Sequence, residues 1–165
     1  MITTLTSAYS VLSRHEFADV MQNQITGEKS LHATRFFDSG ELIAPFGAGK
    51  TLDHPNYLTV QTGIRQHITL APEFLQYINH SCDPNCFFDT EKMELVALRP
   101  IQPGDEFSFF YPSTEWDMAQ PFQCFCGTPA CLKNIRGAKW LSKKEVRNYR
   151  FTAFIREQLR NRKQP

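Results

Sequence analysis

The sequence has no apolar run long enough to cross a membrane and no segment of low complexity. None of its stretches approaches the roughly 20 apolar residues that a membrane-spanning helix needs, and residues 1–10 lack the charged-then-apolar pattern of a secretory signal. Repeats are absent, and proline and glycine occur singly instead of gathering into a linker. We therefore expect a soluble, intracellular protein without a membrane-bound part, built as one domain with a C-terminal appendage.

Cysteine is scarce and odd in number. The chain has five cysteines in 165 residues, and they do not pair into the disulfide framework of a small secreted domain. A reducing compartment in which thiolates bind a metal fits this content better.

Acidic residues dominate the first part of the chain and basic residues the last. Residues 1–131 contain 7 Lys and Arg against 15 Asp and Glu, whereas residues 132–165 contain 11 against 2. An acidic body attracts a cationic peptide. The basic segment has four interpretations: it binds nucleic acid, an acidic protein or the acidic body, or it forms a solvated helix face.

Short β-type segments separated by turn residues recur along the chain, and we predict a mainly β fold. Hydrophobic residues make up 41% of the chain and aromatic residues 13%, enough for a sizeable core. The predicted strands are 29–34, 42–46, 57–61, 67–70, 93–98 and 106–111. Residues 72–78 are predicted to form one helical turn. Pro100, Pro103 and Gly104 predict a hairpin-like connection between the last two strands.

The C-terminal segment has the pattern of a helix. Ser142 followed by Glu145 forms a capping box, and apolar residues then recur at helical spacing. These residues are Phe151, Phe154, Ile155 and Leu159. We expect an amphipathic helix over residues 143–160 with a basic outer face.

Two stretches carry unusual polar and sulfur-containing residues. The first, YINHSCDPNC, runs from Tyr77 to Cys86 and is typical of a tight, self-hydrogen-bonded loop, which by itself requires no function. The second, CFCGTPAC, has Cys124, Cys126 and Cys131 within eight residues. A tetrahedral zinc site needs a fourth ligand, for which Cys82 and Cys86 are the candidates. The alternative is a group of reduced core thiols or a redox pair, but buried thiols gain nothing from adjacency.

A third stretch, GDEFSFFY, runs from Gly104 to Tyr111 and taken alone is an ordinary strand. Together the three stretches resemble the SET domain. Members of that family carry an R-F-x-N-H-S-C-x-P-N segment, a G-E-E-L-x-F-D-Y segment and a trailing C-x-C-x4-C cluster called the post-SET region. The departures here are Gln76 in place of Arg and Phe110 in place of Asp. Order and intervals agree over residues 27–132.

The N-terminal cofactor loop of the family, G-x-G-x-x-A followed by G-E-x-I and Y-x-G, is altered in this chain. Matching positions are Ala33, Gly40, Glu41, Ile43 and Gly47. Glu28 and Ser30 replace the two loop glycines, where a positive φ is costly. Phe46 replaces the tyrosine whose hydroxyl is expected to line the methyl-transfer pore.

The resemblance implies a β-clip fold of short curved sheets with a pseudoknot-like crossing, in addition to the C-terminal amphipathic helix. It divides the chain into a SET domain (1–119), a post-SET zinc-binding segment (120–141) and a basic C-terminal helix (142–165). The implied activity is S-adenosylmethionine-dependent methylation of a protein lysine, by a protein that also contains zinc. A histone or another basic protein is the expected kind of substrate.

The resemblance also implies roles for individual residues, with Tyr111 as the catalytic residue. Those implied to bind the cofactor are Lys29, Ser30, Leu31, Asn79, His80, Tyr111 and Phe125, the first three largely through backbone. Those implied to line the substrate channel are Phe46, Phe88 and Phe109, whose rings favour cationic, methylated products. The implied zinc ligands are Cys82, Cys124, Cys126 and Cys131, which leaves Cys86 as a small buried residue.

Methyl transfer from a sulfonium to an amine is an in-line displacement. The protein has to hold the two atoms about 3 Å apart and collinear, and an apolar channel favours the neutral form of the lysine by desolvation. Phe109 stands two residues before Tyr111, where family members with Phe add two or three methyl groups. We therefore predict di- or trimethylation.

Two other functions remain open. The first is a SET-like module that has lost turnover and binds lysine-containing tails; such a module would not bind S-adenosylmethionine. The second is a nucleic-acid-associated zinc protein, for which residues 142–165 would provide salt-sensitive binding.

Overall fold

The computed structural model describes residues 8–162 and shows thirteen short strands within them. The strands are β1 (Tyr9–Arg14), β2 (Ala18–Asn23), β3 (Lys29–Ala33), β4 (Leu42–Pro45), β5 (Gly47–Leu52), β6 (Thr59–Gly63), β7 (Gln66–Ala71), β8 (Asn79–His80), β9 (Cys86–Asp89), β10 (Glu94–Ala97), β11 (Ser108–Phe109), β12 (Phe122–Gln123) and β13 (Asn134–Ile135). The helices are three 3-10 helices, Glu73–Tyr77, Tyr111–Ser113 and Ala138–Trp140, and two α-helices, α1 (Lys143–Val146) and α2 (Ala153–Asn161). Residues 1–7, part of the segment inspected for a secretory signal, and residues 163–165, the end of the predicted basic helix, lie outside the described residues. None of the helices within residues 8–162 combines the length and the apolar character that a bilayer crossing requires.

The strands form five small sheets. Three sheets have three antiparallel strands each, in the orders β1–β2–β3, β4–β10–β9 and β5–β7–β6. Side chains alternate between the faces of a strand, and in β2 this alternation turns Ala18 and Val20 into the core. The prediction of a mainly β fold of short sheets is confirmed.

Two motif segments that are far apart in the sequence run side by side. Strand β8 pairs in parallel with β11, so that Asn79 lies opposite Ser108 and His80 opposite Phe109. Asn85 joins the same segments, because its side chain donates to the Glu106 carbonyl at 2.8 Å and accepts from the Ser108 amide at 2.8 Å. This crossing brings the residues after Tyr77 to the residues before Tyr111.

A large apolar core lies beneath these segments. Its fully buried side chains include Leu31, Phe37, Phe88, Leu95 and Phe107, each of which stabilises the fold by roughly 1.5–3 kcal/mol through burial. A second, smaller core contains Phe110, Ala138, Leu141, Phe151 and Ile155. It joins the C-terminal segment to the SET-like body.

Five predicted strands correspond to β3, β4, β6, β7 and β10 within a few residues, and the predicted helical turn is the 3-10 helix Glu73–Tyr77. The sixth, 106–111, is reduced to the two residues of β11. The hairpin-like connection was wrong, because β10 pairs with β4 and β9 instead of β11. The intervening loop bridges to the N-terminal part of the chain, Ile101 to Phe37 and Glu106 to His32.

The predicted continuous helix over residues 143–160 was also wrong. The capping box of Ser142 and Glu145 is present, but it starts the four-residue helix α1, and the longer helix begins only at Ala153. Between them Phe151 and Thr152 are buried, the backbone of Thr152 is extended, and its amide donates to the Ser113 carbonyl at 3.0 Å. Burial of Phe151 in the second core outweighs the helical propensity of this stretch.

The basic segment contacts the acidic body, which was one of its four interpretations. Arg150 pairs with Asp89 at 3.1 Å, and Arg156 pairs with Glu91 at 3.1 Å. Arg162 donates to backbone carbonyls of residues 138, 139 and 141. These arginines therefore help to hold the C-terminal segment against the body.

Candidate active site and metal centre

Four cysteines from two distant parts of the chain come together. The sulfur atoms of Cys82, Cys124, Cys126 and Cys131 all lie within 4.8 Å of one another, and those of Cys82 and Cys124 are 3.9 Å apart. Zinc–sulfur bonds of about 2.3 Å in a tetrahedron place sulfurs roughly 3.8 Å apart. The four thiols therefore fit a structural zinc ion, which selects Cys82 over Cys86 as the fourth ligand.

The three C-terminal cysteines are held by the hairpin of β12 and β13. The Cys124 amide donates to the Lys133 carbonyl at 2.6 Å, and the Cys131 amide donates to the Thr128 carbonyl at 3.1 Å. Gly127 adopts a φ of +72°, which a residue without a side chain accommodates in the tight loop. Cys86 lies elsewhere, fully buried, and its thiol contacts the Ser108 carbonyl at 3.2 Å.

His80 connects the cysteine cluster with Tyr111. Its Nδ1 accepts a hydrogen bond from the Tyr111 amide at 3.2 Å, so its Nε2 carries the proton and lies 3.3 Å from the sulfur of Cys82. Burial lowers the pKa of His80 to about 4, and the imidazole is neutral at physiological pH. Both ring nitrogens are thus engaged within the protein.

A polar cleft of about 850 Å³ lies beside this histidine. Its lining includes five residues that the resemblance implied for cofactor binding: Lys29, Asn79, His80, Tyr111 and Phe125. Ser30 and Leu31 are buried in β3 and do not line it. The remaining lining residues are Gly27, Glu28, Tyr57, Leu58, Gln76, Tyr77, Glu106, Phe122, Gln123, Cys124 and Cys126.

Asn79 and Glu106 form the polar centre of the cleft. The Asn79 amide nitrogen donates to the Lys29 carbonyl at 2.9 Å and to the Glu106 carboxylate at 3.0 Å. The side-chain oxygen of Asn79 and the carboxylate of Glu106 can therefore accept hydrogen bonds from a ligand. Glu106 was missed as a site residue, although it stands at a Glu position of the family segment.

The altered loop does not carry the strain that its missing glycines suggested. The left-handed residue is Gly27, with a φ of +75°, one position before Glu28. Ser30 lies in the regular strand β3, and within residues 8–162 only Met93 and Lys133 adopt positive φ without being glycine. Glu28 and Ser30 therefore occupy ordinary backbone conformations.

An apolar cavity of about 300 Å³ adjoins the polar cleft. Its walls include Val60, Leu70, Leu75, Ile78 and Phe109. Tyr57, Leu58, Gln76, Tyr111 and Phe122 line both spaces. Tyr111 therefore lies where the polar cleft and the apolar cavity meet.

The hydroxyl of Tyr111 remains protonated at physiological pH. Burial and the carboxylate of Glu106 raise the pKa of Tyr111 to about 12. The Tyr111 ring packs against Phe109 at 4.7 Å and against His80 at 5.2 Å between ring centroids. These contacts fix the ring at the junction.

Two of the three expected channel residues lie behind the cavity wall. Phe109 lines the cavity, but Phe88 is completely buried and Phe46 is 7% exposed, and neither lines the cavity or the cleft. Phe46 packs edge-on against Phe88 at 5.3 Å, and Phe88 packs against Phe109 at 4.9 Å. The rings of Phe46 and Phe88 support Phe109 from the core, and a direct contact of either ring with a substrate stays a prediction.

Two further residues at the site were missed. Glu115 lines the apolar cavity, and Tyr149 stacks on Phe110 at 3.6 Å while its hydroxyl donates to the Cys82 carbonyl at 2.9 Å. The replacement of the family's Asp by Phe110 signalled an apolar partner for this position. Nothing in the sequence identified that partner as Tyr149, 39 residues later.

Comparisons with known proteins agree with this architecture. A family model of the SET domain matches residues 28–112. The methyltransferase flvH of Aspergillus flavus is 41% identical over 123 residues, which are 73% of this chain and 68% of that protein. An H3 lysine-36-specific histone-lysine N-methyltransferase of Aspergillus oryzae is 34% identical over 92 residues, which are 52% of this chain but 9% of that protein. Among solved structures, KRYPTONITE in complex with mCHG DNA and SAH has a TM-score of 0.56 at 20% identity, covering 74% of this chain and 30% of that one. That likeness shows a shared fold.

Proposed function

The chain belongs to the SET domain family, and on that premise we propose that it transfers methyl groups from S-adenosylmethionine to the ε-amine of a protein lysine. The observation that carries the proposal is the meeting of a polar cleft and an apolar cavity at Tyr111. Such a junction suits a reaction between a polar donor and an amine on an aliphatic chain.

The polar cleft is the proposed donor site. Bound S-adenosylmethionine would supply a methyl group activated on a sulfonium. Asn79 and Glu106 offer acceptors for the ammonium of its amino-acid part, and the exposed ring of Phe125 offers a face for its adenine. Lys29 offers a cation for its carboxylate. Glu28 lines the cleft immediately before β3, whereas Ser30 and Leu31 lie within that strand.

The apolar cavity is the proposed acceptor site. Its lining removes water from the lysine side chain and favours the neutral amine. Tyr111 is the proposed catalytic residue, because its neutral hydroxyl lies at the junction and orients the amine toward the donor. We place Phe109 beside that amine, where a ring without a hydroxyl leaves room for two or three methyl groups.

The four clustered cysteines are the proposed zinc site, consistent with their spacing. A bound ion would supply a rigid cross-link between Cys82 and the hairpin of β12 and β13. With the ion bound, the Nε2 proton of His80 would stabilise the thiolate of Cys82, while Nδ1 accepts from the backbone amide of Tyr111. The metal centre therefore helps to position the residue proposed to act in catalysis.

Methyl transfer is tested with radiolabelled S-adenosylmethionine, using histones and whole-cell lysate as acceptors. We expect wild-type protein to label a lysine and Tyr111→Phe to lose at least about 100-fold in rate, the scale of one positioned catalytic group. Binding of S-adenosylmethionine by Tyr111→Phe should stay within about threefold of wild type. Equal labelling by both proteins would refute the role of Tyr111.

Mass spectrometry of the product tests the number of methyl groups. Dimethyl- or trimethyllysine is expected after long incubation with wild-type protein. A product that stops at monomethyllysine would contradict the role given to Phe109.

The main alternative is a module that binds lysine-containing tails without turnover. Calorimetric titration of the zinc-loaded protein with S-adenosylmethionine separates the two functions. Measurable donor binding supports the enzyme, whereas its absence supports the binding module.

A further inference from the structure

Glu115 is a buried acid at the apolar cavity. It is 7% exposed, its Oε1 has no hydrogen-bond partner, and the residue lines the cavity together with Phe109 and Tyr111. A buried carboxyl oxygen without a partner lowers the free energy of unfolding by about 1–3 kcal/mol, even when the carboxyl is neutral. A residue with that cost and this position points to a ligand.

The backbone on either side of Glu115 is held firmly. The Glu115 carbonyl accepts from the Ala138 amide at 2.9 Å. The preceding carbonyl, of Thr114, accepts from the Gln61 amide at 3.0 Å, and the following amide, of Trp116, donates to the Gln61 side chain at 3.0 Å. These bonds fix the backbone of the segment from both sides, at the wall of the cavity that Glu115 lines.

No cation within the described residues neutralises this carboxyl. Glu115 is the only lining residue with a formal charge, and the other titratable lining residues are Tyr57 and Tyr111. The amide nitrogen of Gln61 donates to the Gly63 carbonyl, and the neighbouring Asp117 pairs with Lys139. The charge of an ionised Glu115 is therefore available to a cation that enters the cavity.

We propose that Glu115 is the residue that binds the acceptor amine, drawing a protonated primary amine into the apolar cavity. The inference rests on the proposed function and adds a recognition group to it. The ammonium and the carboxylate do not both stay charged in apolar surroundings. The N–H bond breaks, an O–H bond forms on Glu115, and the electron pair stays on nitrogen as the nucleophile.

The electrostatics of the site agree with this role. Burial raises the pKa of Glu115 to about 8, against a smaller lowering by the backbone of Gln61. Most of the carboxyl is therefore protonated in the empty cavity at physiological pH, and the ionised fraction is the form that binds the ammonium and takes its proton. The pKa of a lysine in water is about 10.4, above that of Glu115. Burial against the apolar wall disfavours the charged amine, which lowers the pKa of the lysine toward that of Glu115.

The kinetic test compares Glu115→Gln with wild type, with Glu115→Asp as the conservative variant and the exposed Glu157→Gln as the control. We expect kcat/KM for a histone acceptor to fall about tenfold in Glu115→Gln at pH 7.5. The deficit should shrink toward one at pH 10, where more of the amine arrives neutral. Glu115→Asp should recover part of the rate, and donor affinity should be unchanged in all variants.

A merely structural role for Glu115 would produce a deficit that is the same at every pH, and that result overturns the proposal. Unchanged kinetics in Glu115→Gln also overturn it, while leaving the proposed methyl transfer intact.

A binding measurement separates the two proposals. Wild-type protein is titrated with n-butylammonium and with 1-butanol at pH 7.5 and followed by NMR. Glu115 as an amine-binding residue predicts about tenfold tighter binding of the cation, and no such preference in Glu115→Gln. A preference for the cation, found together with no methyl transfer to any acceptor, would refute the proposed enzyme activity but support the amine-binding site. Equal binding of both ligands by wild type would refute the site.

Discussion

His80 and Glu115 are two buried titratable side chains whose polar atoms are satisfied to different extents. His80 places one nitrogen on Tyr111 and the other beside Cys82, so it serves the metal centre and the cavity junction at once. Glu115, in contrast, keeps one buried carboxyl oxygen, Oε1, without a hydrogen-bond partner. A side chain that satisfies its neighbours stabilises the fold, whereas an unsatisfied one weakens the fold unless a ligand completes it.

The raised pKa of Glu115 predicts a pH-dependent free energy of unfolding. Its folded-state pKa, about 8, lies above the ordinary value of 4.5, so the folded protein binds more protons than the unfolded chain between these values. The free energy of unfolding should therefore fall as pH rises from about 4.5 to 8, by on the order of a few kcal/mol. Chemical denaturation across this range measures the slope.

Glu115→Gln removes the titrating group, and the contribution of this group to the slope should vanish. Glu157→Gln should keep the wild-type slope. The same slope in Glu115→Gln as in wild type would contradict a buried, protonated carboxyl at this position.

At the scale of elements, Gly137 and the 3-10 helix Ala138–Trp140 pack against the segment of Glu115 and Trp116 at the cavity wall. Gly137 adopts a φ of +116°, and a side chain there would meet the Trp116 carbonyl oxygen at 2.5 Å. The close approach lets the Ala138 and Lys139 amides donate to the Glu115 and Trp116 carbonyls, both at 2.9 Å. Glycine at this position therefore allows residues 137–140 to dock against the wall.

Gly137→Ala is expected to destabilise the protein by about 2–4 kcal/mol, because it combines an unfavourable φ with a backbone clash. Thermal unfolding measures the loss. Gly47→Ala is the matched control, since a side chain there meets nothing within 4 Å and its φ is not in the left-handed region. Equal melting temperatures for the two variants would show that the backbone shifts without cost.

At the scale of the whole molecule, the cysteine cluster and the second core join the C-terminal residues to the body of the protein. Cys82 belongs to the crossing at the centre of the body, whereas its three partners belong to the C-terminal hairpin. Tyr149 reinforces the same junction by stacking on Phe110 and donating to the Cys82 carbonyl. The C-terminal third of the chain is therefore part of the site and not an appendage.

Removal of the metal should unfold the junction between the body and the hairpin of β12 and β13. Structural zinc contributes on the order of 10 kcal/mol to the folding of such segments, so chelation of zinc-loaded protein should lower the melting temperature and abolish methyl transfer. Cys131→Ser should reproduce both effects, measured with zinc content by mass spectrometry. Cys86→Ser, which alters the thiol outside the cluster, should retain full zinc content. Stoichiometric zinc and wild-type activity in Cys131→Ser would contradict the four-cysteine site.

The order of amino acids was enough to indicate the family, the mainly β fold and the grouping of Asn79, His80 and Tyr111. Those features depend on short motifs, whose residue types and spacing are visible without coordinates. The spacing of the cysteines indicated a metal site in the same way, but left the fourth ligand open between Cys82 and Cys86 until a family pattern was considered. Local capping chemistry also identified the start of α1 correctly.

Only the tertiary structure decided which elements pair, where the C-terminal helix breaks and which side chains line the cavity. The pairing of β8 with β11, the burial of Phe46 and Phe88, and the position of Glu115 all depend on contacts between residues far apart in the chain. Helical periodicity over residues 143–160 was overridden because burying Phe151 in the second core stabilises the molecule more than continuing the helix. Packing of this kind has no signature in local sequence, since it is set by the shape of the whole protein.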